Sequence, residues 1–198
     1  MEGILTNIQR FVMRGLKGMR KKDKEKLQLN LIISLSWFVS LMNMLRIDIE
    51  EELWQRFPGV CSYCGSVPCA CKEKKIQKRV ALIKKGKKRP TTLAEFQSMF
   101  AFVYPSSRRT LEEGGIHLAE EMGELSEAVL KYRGAREAVD FKHIEEEAAD
   151  FFSCLMGVFN SLDISVPKEL SRLFPENCHE CGKAPCQCSF SHVMNFKS

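Results

Sequence analysis

No stretch of this sequence alternates apolar and polar residues as a half-buried β-strand does, which excludes a fold built on a β-sheet. The N-terminus also lacks a charged head followed by an apolar segment and a small-residue cleavage site, so we expect a cytoplasmic protein without a secretory signal. The chain does have 198 residues, of which 44% are hydrophobic and 28% charged. This balance suits one large or two small globular domains, and we predict an all-α fold.

Long hydrophobic runs are scarce as well. The longest segment without a charge, residues 27–45, is nearly long enough to span a bilayer. It contains six polar side chains that would face lipid poorly: Gln28, Asn30, Ser34, Ser36, Ser40 and Asn43. We therefore predict a buried core helix here and no membrane partner.

Acidic residues are few in the first half of the chain and plentiful in the second. Residues 1–90 hold 20 Lys and Arg against 8 Asp and Glu, whereas residues 91–198 hold 10 against 17. The basic excess peaks at residues 72–90, where Glu73 is the only acid. A basic half joined to an acidic half suggests attraction of phosphates by one and of cations by the other, although ordinary solvated surface explains most single charges.

The chain is similar to itself. When it is shifted by 117 residues, positions 36–71 fall on positions 153–188 with 14 of 36 residues identical, where chance gives roughly two or three. Such self-similarity predicts two tandem, pseudo-symmetric copies of one structural unit in a helical bundle. We place a first helical unit at 1–72, a basic linker at 73–90 and a second helical unit at 91–198, with each unit ending in a cysteine loop.

The second unit shows helical spacing throughout. The apolar residues of Leu93–Val103 repeat at helical intervals and predict one helix. A longer helix should begin at an N-cap, Thr110, within a Thr-x-x-Glu capping box, and end at Gly134. A third should cover about residues 140–162, and Pro167 should open a short fourth helix.

Two pairs of carboxylates carry the chemistry of the second unit. Glu121 and Glu124 are three residues apart and share a helix face, and the same is true of Glu147 and Asp150 on the next helix. If these helices pack antiparallel, four carboxylates converge, and a bound cation would relieve their repulsion. Hard oxygen ligands of this kind suit Mg²⁺ or Mn²⁺. Two acidic, solvated helix faces without a metal are the alternative.

The segment HLAEEMGELSEAV, followed by EEEAADFFSCLMGVFNSLDI, resembles the MazG-like all-α nucleoside triphosphate pyrophosphohydrolases over about residues 93–170. That family has a Glu-Glu-x-x-Glu helix and then a Glu-x-x-Asp helix. The resemblance implies that the four carboxylates bind magnesium and that the protein converts an NTP or dNTP to a monophosphate and pyrophosphate. Asn30 and Ile33 stand at the first-unit positions that match 147 and 150, so we expect that unit to be a degenerate copy without metal chemistry.

The same resemblance suggests roles for nearby residues. The implied reaction is metal-assisted attack of water on the α-phosphorus, with Glu120 or Glu121 as the candidate general base. Four cations are candidates for holding the phosphates, with plain surface exposure as the alternative for each: Arg108, Arg109, Lys131 and Arg133. Asn160 could bind a base or sugar, or it could simply end its helix.

Eight of the nine cysteines form two sets with the spacing C-x₂-C-x₄-C-x-C. The first set is Cys61, Cys64, Cys69 and Cys71, and the second is Cys178, Cys181, Cys186 and Cys188. Four thiolates around a glycine turn suit tetrahedral Zn²⁺, so we predict two structural zinc sites. Disulfides are one alternative, but nothing in the sequence points to an oxidising compartment. An iron–sulfur cluster is a second and weaker alternative.

Other functions compete with the hydrolase. The basic residues 72–89 and the paired cysteine loops would also suit a zinc-containing module that binds nucleic acid or protein. Few aromatic residues interleave the basic run, so base stacking there is not evident. Hydrolysis of another phosphoanhydride, such as a nucleotide sugar, is a third hypothesis. The sequence does not indicate which nucleotide is preferred or whether two chains form a homodimer.

Overall fold

The computed structural model describes residues 2–20, 23–74, 76, 78–82, 88–189 and 191–192. All regular structure in these ranges is helical, which confirms the predicted all-α class. The helices are α1 (Glu2–Arg20), α2 (Lys24–Leu45), α3 (Ile49–Arg56), α4 (Cys71–Lys74), α5 (Leu93–Val103), α6 (Leu111–Ala135), α7 (Ala138–Ser161) and α8 (Val166–Leu173). A 3₁₀ turn at Ser106–Arg108 joins α5 to α6.

Local capping chemistry fixes where α6 begins. The Thr110 hydroxyl accepts a hydrogen bond from the Glu113 N–H at 3.1 Å, and the Glu113 carboxylate accepts one from the Thr110 N–H at 2.9 Å. This is the predicted capping box. It sets the rotational phase of α6 and therefore determines which residues of its acidic motif face α7.

The predicted end of α6 is wrong by two residues. Gly134 lies inside the helix, which continues to Ala135 and ends at Arg136. Arg136 adopts a left-handed conformation with φ +57°, and its N–H donates to the Tyr132 carbonyl at 2.7 Å. The left-handed residue that glycine usually supplies at a helix end is here an arginine, so the glycine did not mark the boundary.

Two helical hairpins form the framework. Helix α1 packs along α2, and α6 packs along α7, each pair joined by a short connection that makes the partners antiparallel. The short helices pack on both hairpins: α3, which follows α2, packs on α7, while α8, which follows α7, packs on α5 and also touches α2. The first half of the chain therefore buries its short helix against the second half, and α8 stays mainly within its own half.

One hydrophobic core runs through both halves. Phe38 of α2 lies 5.1 Å from Phe151 and 6.1 Å from Phe152 of α7, measured between ring centroids. Phe57, after α3, meets Phe100 of α5 edge to face at 5.2 Å. Because the Phe38 contacts join the two hairpins directly, residues of the first half help to build the core on which the acidic helices pack.

The repeated segments have the same local structure. Phe57 and Phe174 end α3 and α8 with N–H bonds of 2.8 Å to carbonyls four residues back. Gly65 and Gly182 occupy the cysteine loops at φ +63° and +64°, a left-handed conformation that suits glycine. Each loop also contains a cis X-Pro bond, at Pro68 and Pro185. The internal repeat is therefore structural at the level of its short helices and loops.

By length and composition, α2 is long and apolar enough to cross a membrane. The bent pair α7 and α8 passes the same criterion only when it is taken as one span. Ten side chains of α2 are buried, among them Leu31, Leu35 and Phe38. Buried core helices share this composition, and burial of this kind is what the sequence predicted for residues 27–45.

Candidate metal centres

The α6–α7 hairpin brings three of the predicted carboxylates together. One oxygen from each of Glu121, Glu124 and Glu147 lies within 4.8 Å of the other two. Neighbouring ligands of an octahedral Mg²⁺ are about 3 Å apart and opposite ones about 4 Å apart. The cluster is thus close to the size that a single hard cation requires.

Burial makes this cluster electrostatically costly. Burial, followed by the negative charges of Asp150, Glu124 and Glu147, raises the pKa of Glu121 to about 8. Burial and the charges of Asp150 and Glu124 also raise the pKa of Glu147. One oxygen of Glu121 (Oε2) and one of Glu147 (Oε2) are buried without a hydrogen-bond partner in the part of the chain that the structure describes. Groups of this kind need a cation or a proton.

The fourth predicted ligand, Asp150, has different neighbours. Its Oδ1 accepts a hydrogen bond from Nε of Arg56 at 3.0 Å, and its Oδ2 is paired with Nη2 of the same guanidinium. Nη2 of Arg79 lies 3.4 Å from Oδ2. Asp150 is not part of the three-carboxylate cluster, yet its charge acts on Glu121 and Glu147. Its role as a ligand remains a prediction.

Sequence reasoning missed Arg56 and Arg79. Arg56 closes α3 in the first half, 94 residues before Asp150, and only the packing of α3 on α7 brings the two together. Arg56 also lies 3.5 Å from Glu146. The excess of Lys and Arg in residues 1–90 was the one available signal, and it did not indicate which residue would contact the acidic helices.

The remaining predicted residues occupy several places. Glu120 is exposed, with Nδ1 of His117 3.1 Å from its carboxylate. Lys131 pairs with Glu127 at 2.7 Å along the surface of α6. Lys131 and the exposed Arg133 follow Glu121 by ten and twelve residues, which places them about 15 and 18 Å farther along the helix axis. Their substrate roles remain predictions.

Asn160 is bound to α5. Its Oδ1 accepts a hydrogen bond from the side-chain amide of Gln97 at 3.0 Å, and its Nδ2 donates to the Gln97 carbonyl at 3.2 Å. Gln97 also donates to the Ile164 carbonyl at 2.7 Å. The amide therefore ties the end of α7 to α5, and its nucleoside-binding role remains a prediction.

The cysteine sets form two compact clusters, as predicted. The four sulfurs of each set lie within 4.8 Å of one another. The Cys61 and Cys71 sulfurs are 3.7 Å apart, and the matching pair Cys178 and Cys188 is 3.8 Å apart. Four sulfurs at 2.3 Å from a tetrahedral zinc would be about 3.8 Å apart. Either cluster could hold a metal ion, and all nine cysteines are free thiols.

Backbone donors favour thiolates within the clusters. Burial raises the pKa of Cys64, but N–H groups of Ala70 and Ser66 and neighbouring thiols outweigh it and lower that pKa to about 6. The N–H groups of Gln187 and Lys183 lower the pKa of Cys181 to about 6 as well. Stabilised thiolates beside protonated thiols are ready to exchange their protons for a metal.

The two clusters differ in their surroundings. The first packs on the end of α5, where the Cys69 N–H donates to the Val103 carbonyl at 2.8 Å and Cys61 is buried beside Val103. Arg108 donates to the Cys69 carbonyl at 3.0 Å. The second cluster is more exposed and lies near α2, across a cavity of about 490 Å³ lined in part by Trp37 and Phe174.

Comparison of the chain with known protein families, with curated proteins and with solved structures finds no match. Any function must therefore be argued from the side chains and their geometry.

Proposed function

We propose that the protein is a Mg²⁺- or Mn²⁺-dependent nucleoside triphosphate pyrophosphohydrolase of the MazG-like kind. The observation that carries the proposal is the pair of buried, unpartnered oxygens of Glu121 and Glu147 within a three-carboxylate cluster. Buried carboxylates of this kind are costly unless a cation or protons neutralise them, and one cation can serve all three at once. Two acidic, solvated helix faces would not leave buried oxygens of this kind.

In this proposal Glu121, Glu124 and Glu147 hold the metal, with Asp150 as a fourth acidic group beside them. A bound Mg²⁺ would neutralise charge on the triphosphate and lower the pKa of a water molecule. Arg56 and Arg79 hold Asp150 in place and add positive charge where an anionic substrate would approach. Glu120, outside the three-carboxylate cluster, is the candidate base that would accept the proton of the attacking water.

We also propose that both cysteine clusters hold Zn²⁺ in a structural role. The sulfur separations match a tetrahedral site, and each loop is too short to build a hydrophobic core of its own. No open coordination position is required for this role, because four cysteines complete the tetrahedron.

The test is a screen of NTPs and dNTPs with Mg²⁺ in which pyrophosphate release is measured. We expect at least one nucleotide to be hydrolysed and Glu124→Gln to reduce the rate by about a hundredfold or more. The matched control is Glu127→Gln, one helical turn farther along α6, where the carboxylate is exposed and paired with Lys131; it should retain wild-type activity.

A full panel without hydrolysis, or an active Glu124→Gln variant, would refute the hydrolase. Nucleotide sugars belong in the panel because their hydrolysis would keep the metal site and change the substrate class. Binding of single-stranded nucleic acid by an enzymatically inactive protein would favour the zinc-containing binding module instead.

A further inference from the structure

A cavity of about 330 Å³ lies between the first cysteine cluster and the start of α6. Its wall carries an aromatic ring, Tyr104, and four nitrogen-bearing side chains: Lys72, Arg108, Arg109 and His117. Cys69, Cys71 and the acidic Glu73 also line it. The cavity is thus a basic recess in contact with the acidic half of the protein.

Most of these basic groups already have acidic neighbours. Lys72 pairs with Glu113 at 2.9 Å, and Arg108 lies 3.5 Å from Glu73. Arg109 differs from them. Its guanidinium lies 6.0 Å from the Tyr104 ring centroid, and among the described residues its side chain is in no ion pair within 4.0 Å, although its positive charge helps to lower the pKa of Glu113.

The cavity adjoins the carboxylate cluster. His117, on its wall, precedes Glu121 by four residues on α6, a separation of one helical turn, or about 6 Å. A chain of phosphates bound at the carboxylates can therefore extend toward Arg109.

We propose that this cavity binds the β- and γ-phosphates of the nucleotide and then the pyrophosphate that leaves. This inference rests on the proposed function and assigns the orientation of its substrate. In the reaction the water oxygen bonds to the α-phosphorus, and the bond from that phosphorus to the α–β bridging oxygen breaks. The bridging oxygen leaves with the bonding electrons as part of pyrophosphate, and a carboxylate takes the proton of the water.

The chemistry of the wall selects phosphate over nucleobase. Arg109 offers a planar set of donors that fits phosphate oxygens bidentately. The face of Tyr104 on which a base could stack is the one that Arg109 approaches. The nucleoside should therefore lie on the other side of the carboxylates.

Calorimetry with inorganic pyrophosphate and, separately, with a nucleoside monophosphate tests the orientation on the intact protein with Mg²⁺. We expect Arg109→Gln to weaken pyrophosphate binding by about tenfold or more and to leave monophosphate binding within about twofold. Arg109→Lys, which keeps the charge, should recover part of the affinity. Arg172→Gln, an exposed arginine of α8 paired with Glu169, is the control and should bind both ligands as the wild type does.

A crystal of the wild-type protein soaked in pyrophosphate supplies a test that does not depend on any variant. Density between Arg109 and His117 supports the proposal, and pyrophosphate found elsewhere overturns it. Unchanged pyrophosphate affinity in Arg109→Gln also overturns it, even if nucleotides are hydrolysed. If no nucleotide is hydrolysed but pyrophosphate binds in an Arg109-dependent manner, the hydrolase fails and the phosphate site stands.

Discussion

The α1–α2 and α6–α7 hairpins are both pairs of long helices, but they differ in the charge that they bury. At the positions matching Glu147 and Asp150, α2 carries Asn30 and Ile33, both buried. At these two positions the first hairpin has uncharged side chains in the core, whereas the second has carboxylates. One buried charge of the second hairpin, that of Asp150, is met by a residue from the first half of the chain, Arg56 of α3.

The short helices repeat this contrast. Arg56, at the end of α3, stands at the position that Leu173 occupies in α8. Arg56 binds Asp150 across the α3–α7 contact, while Leu173 packs on the hydrophobic core. The Arg56–Asp150 contact is ionic, whereas the matching residues, Leu173 and Ile33, are apolar. Both members of the pair therefore differ together between the two halves.

The largest expected effect comes from replacing Glu147 of α7 by asparagine, the residue that α2 has at the matching position, Asn30. Glu147→Asn should reduce nucleotide hydrolysis by about a hundredfold or more, because the metal loses a buried ligand. The same change removes a carboxylate whose pKa is raised in the fold, so the metal-free protein should gain thermal stability at neutral pH. Steady-state kinetics and calorimetry measure the two effects, and a variant that is both active and destabilised would contradict the metal site.

Replacing the ionic contact by its apolar counterpart should have the next largest effect. Arg56→Leu should destabilise the protein by about 2–4 kcal/mol, since among the described residues it leaves the buried Asp150 paired with the partly exposed Arg79 alone. The double variant with Asp150→Ile copies Leu173 and Ile33 and should recover at least half of that loss. Urea denaturation of both single variants and the double variant measures this coupling, and simply additive losses would show that the pair is independent.

The cysteine clusters offer a matched pair of substitutions. Cys61→Ser should lower the Tm by about 5 °C or more, because that cluster is buried against Val103, and Cys178→Ser by about half as much. Each variant should lose one of two zinc ions by elemental analysis, and Cys178→Ser should remain active. Equal losses of stability would mean that burial of the first cluster contributes little, and wild-type protein without zinc would refute the metal assignment.

The smallest expected effect is a difference in stability loss between substitutions of Asn160 and Asn43, which the internal repeat aligns. Asn160→Ala should cost about 1–2 kcal/mol, because both of its hydrogen-bonding groups engage Gln97. Asn43→Ala, at the matching exposed position, should change stability by less than about 0.5 kcal/mol. Hydrolysis by Asn160→Ala should stay within about twofold of wild type, and a large rise in KM would restore its nucleoside-binding role.

Local features were predictable from the sequence, whereas contacts between segments that are distant in sequence were not. Helical spacing, the Thr110 capping box and the grouping of the cysteines depend on residues near one another in sequence, and the structure confirms them. Glu121, Glu124 and Glu147 came together because hairpin packing follows from a short connection. Arg56 and the Gln97–Asn160 bonds depend on how distant helices meet, which no periodicity encodes.

The failed prediction at Gly134 has a related cause. A glycine is favoured where the backbone must turn left-handed, but the helix gained two more residues and Arg136 adopted that conformation instead. The preference amounts to about 1 kcal/mol, which hydrogen bonding and packing easily offset. Signals of this size locate a boundary to within a few residues only.

The placement of α3 has a consequence for how the chain is assembled. Because α3 packs on α7 and Phe38 of α2 packs on Phe151, the core of the second half is completed by residues of the first. The acidic hairpin is therefore finished from outside, by side chains that the chain reaches about a hundred residues earlier. A substitution in α3 can consequently alter the candidate metal centre on α6 and α7 without touching either helix in sequence.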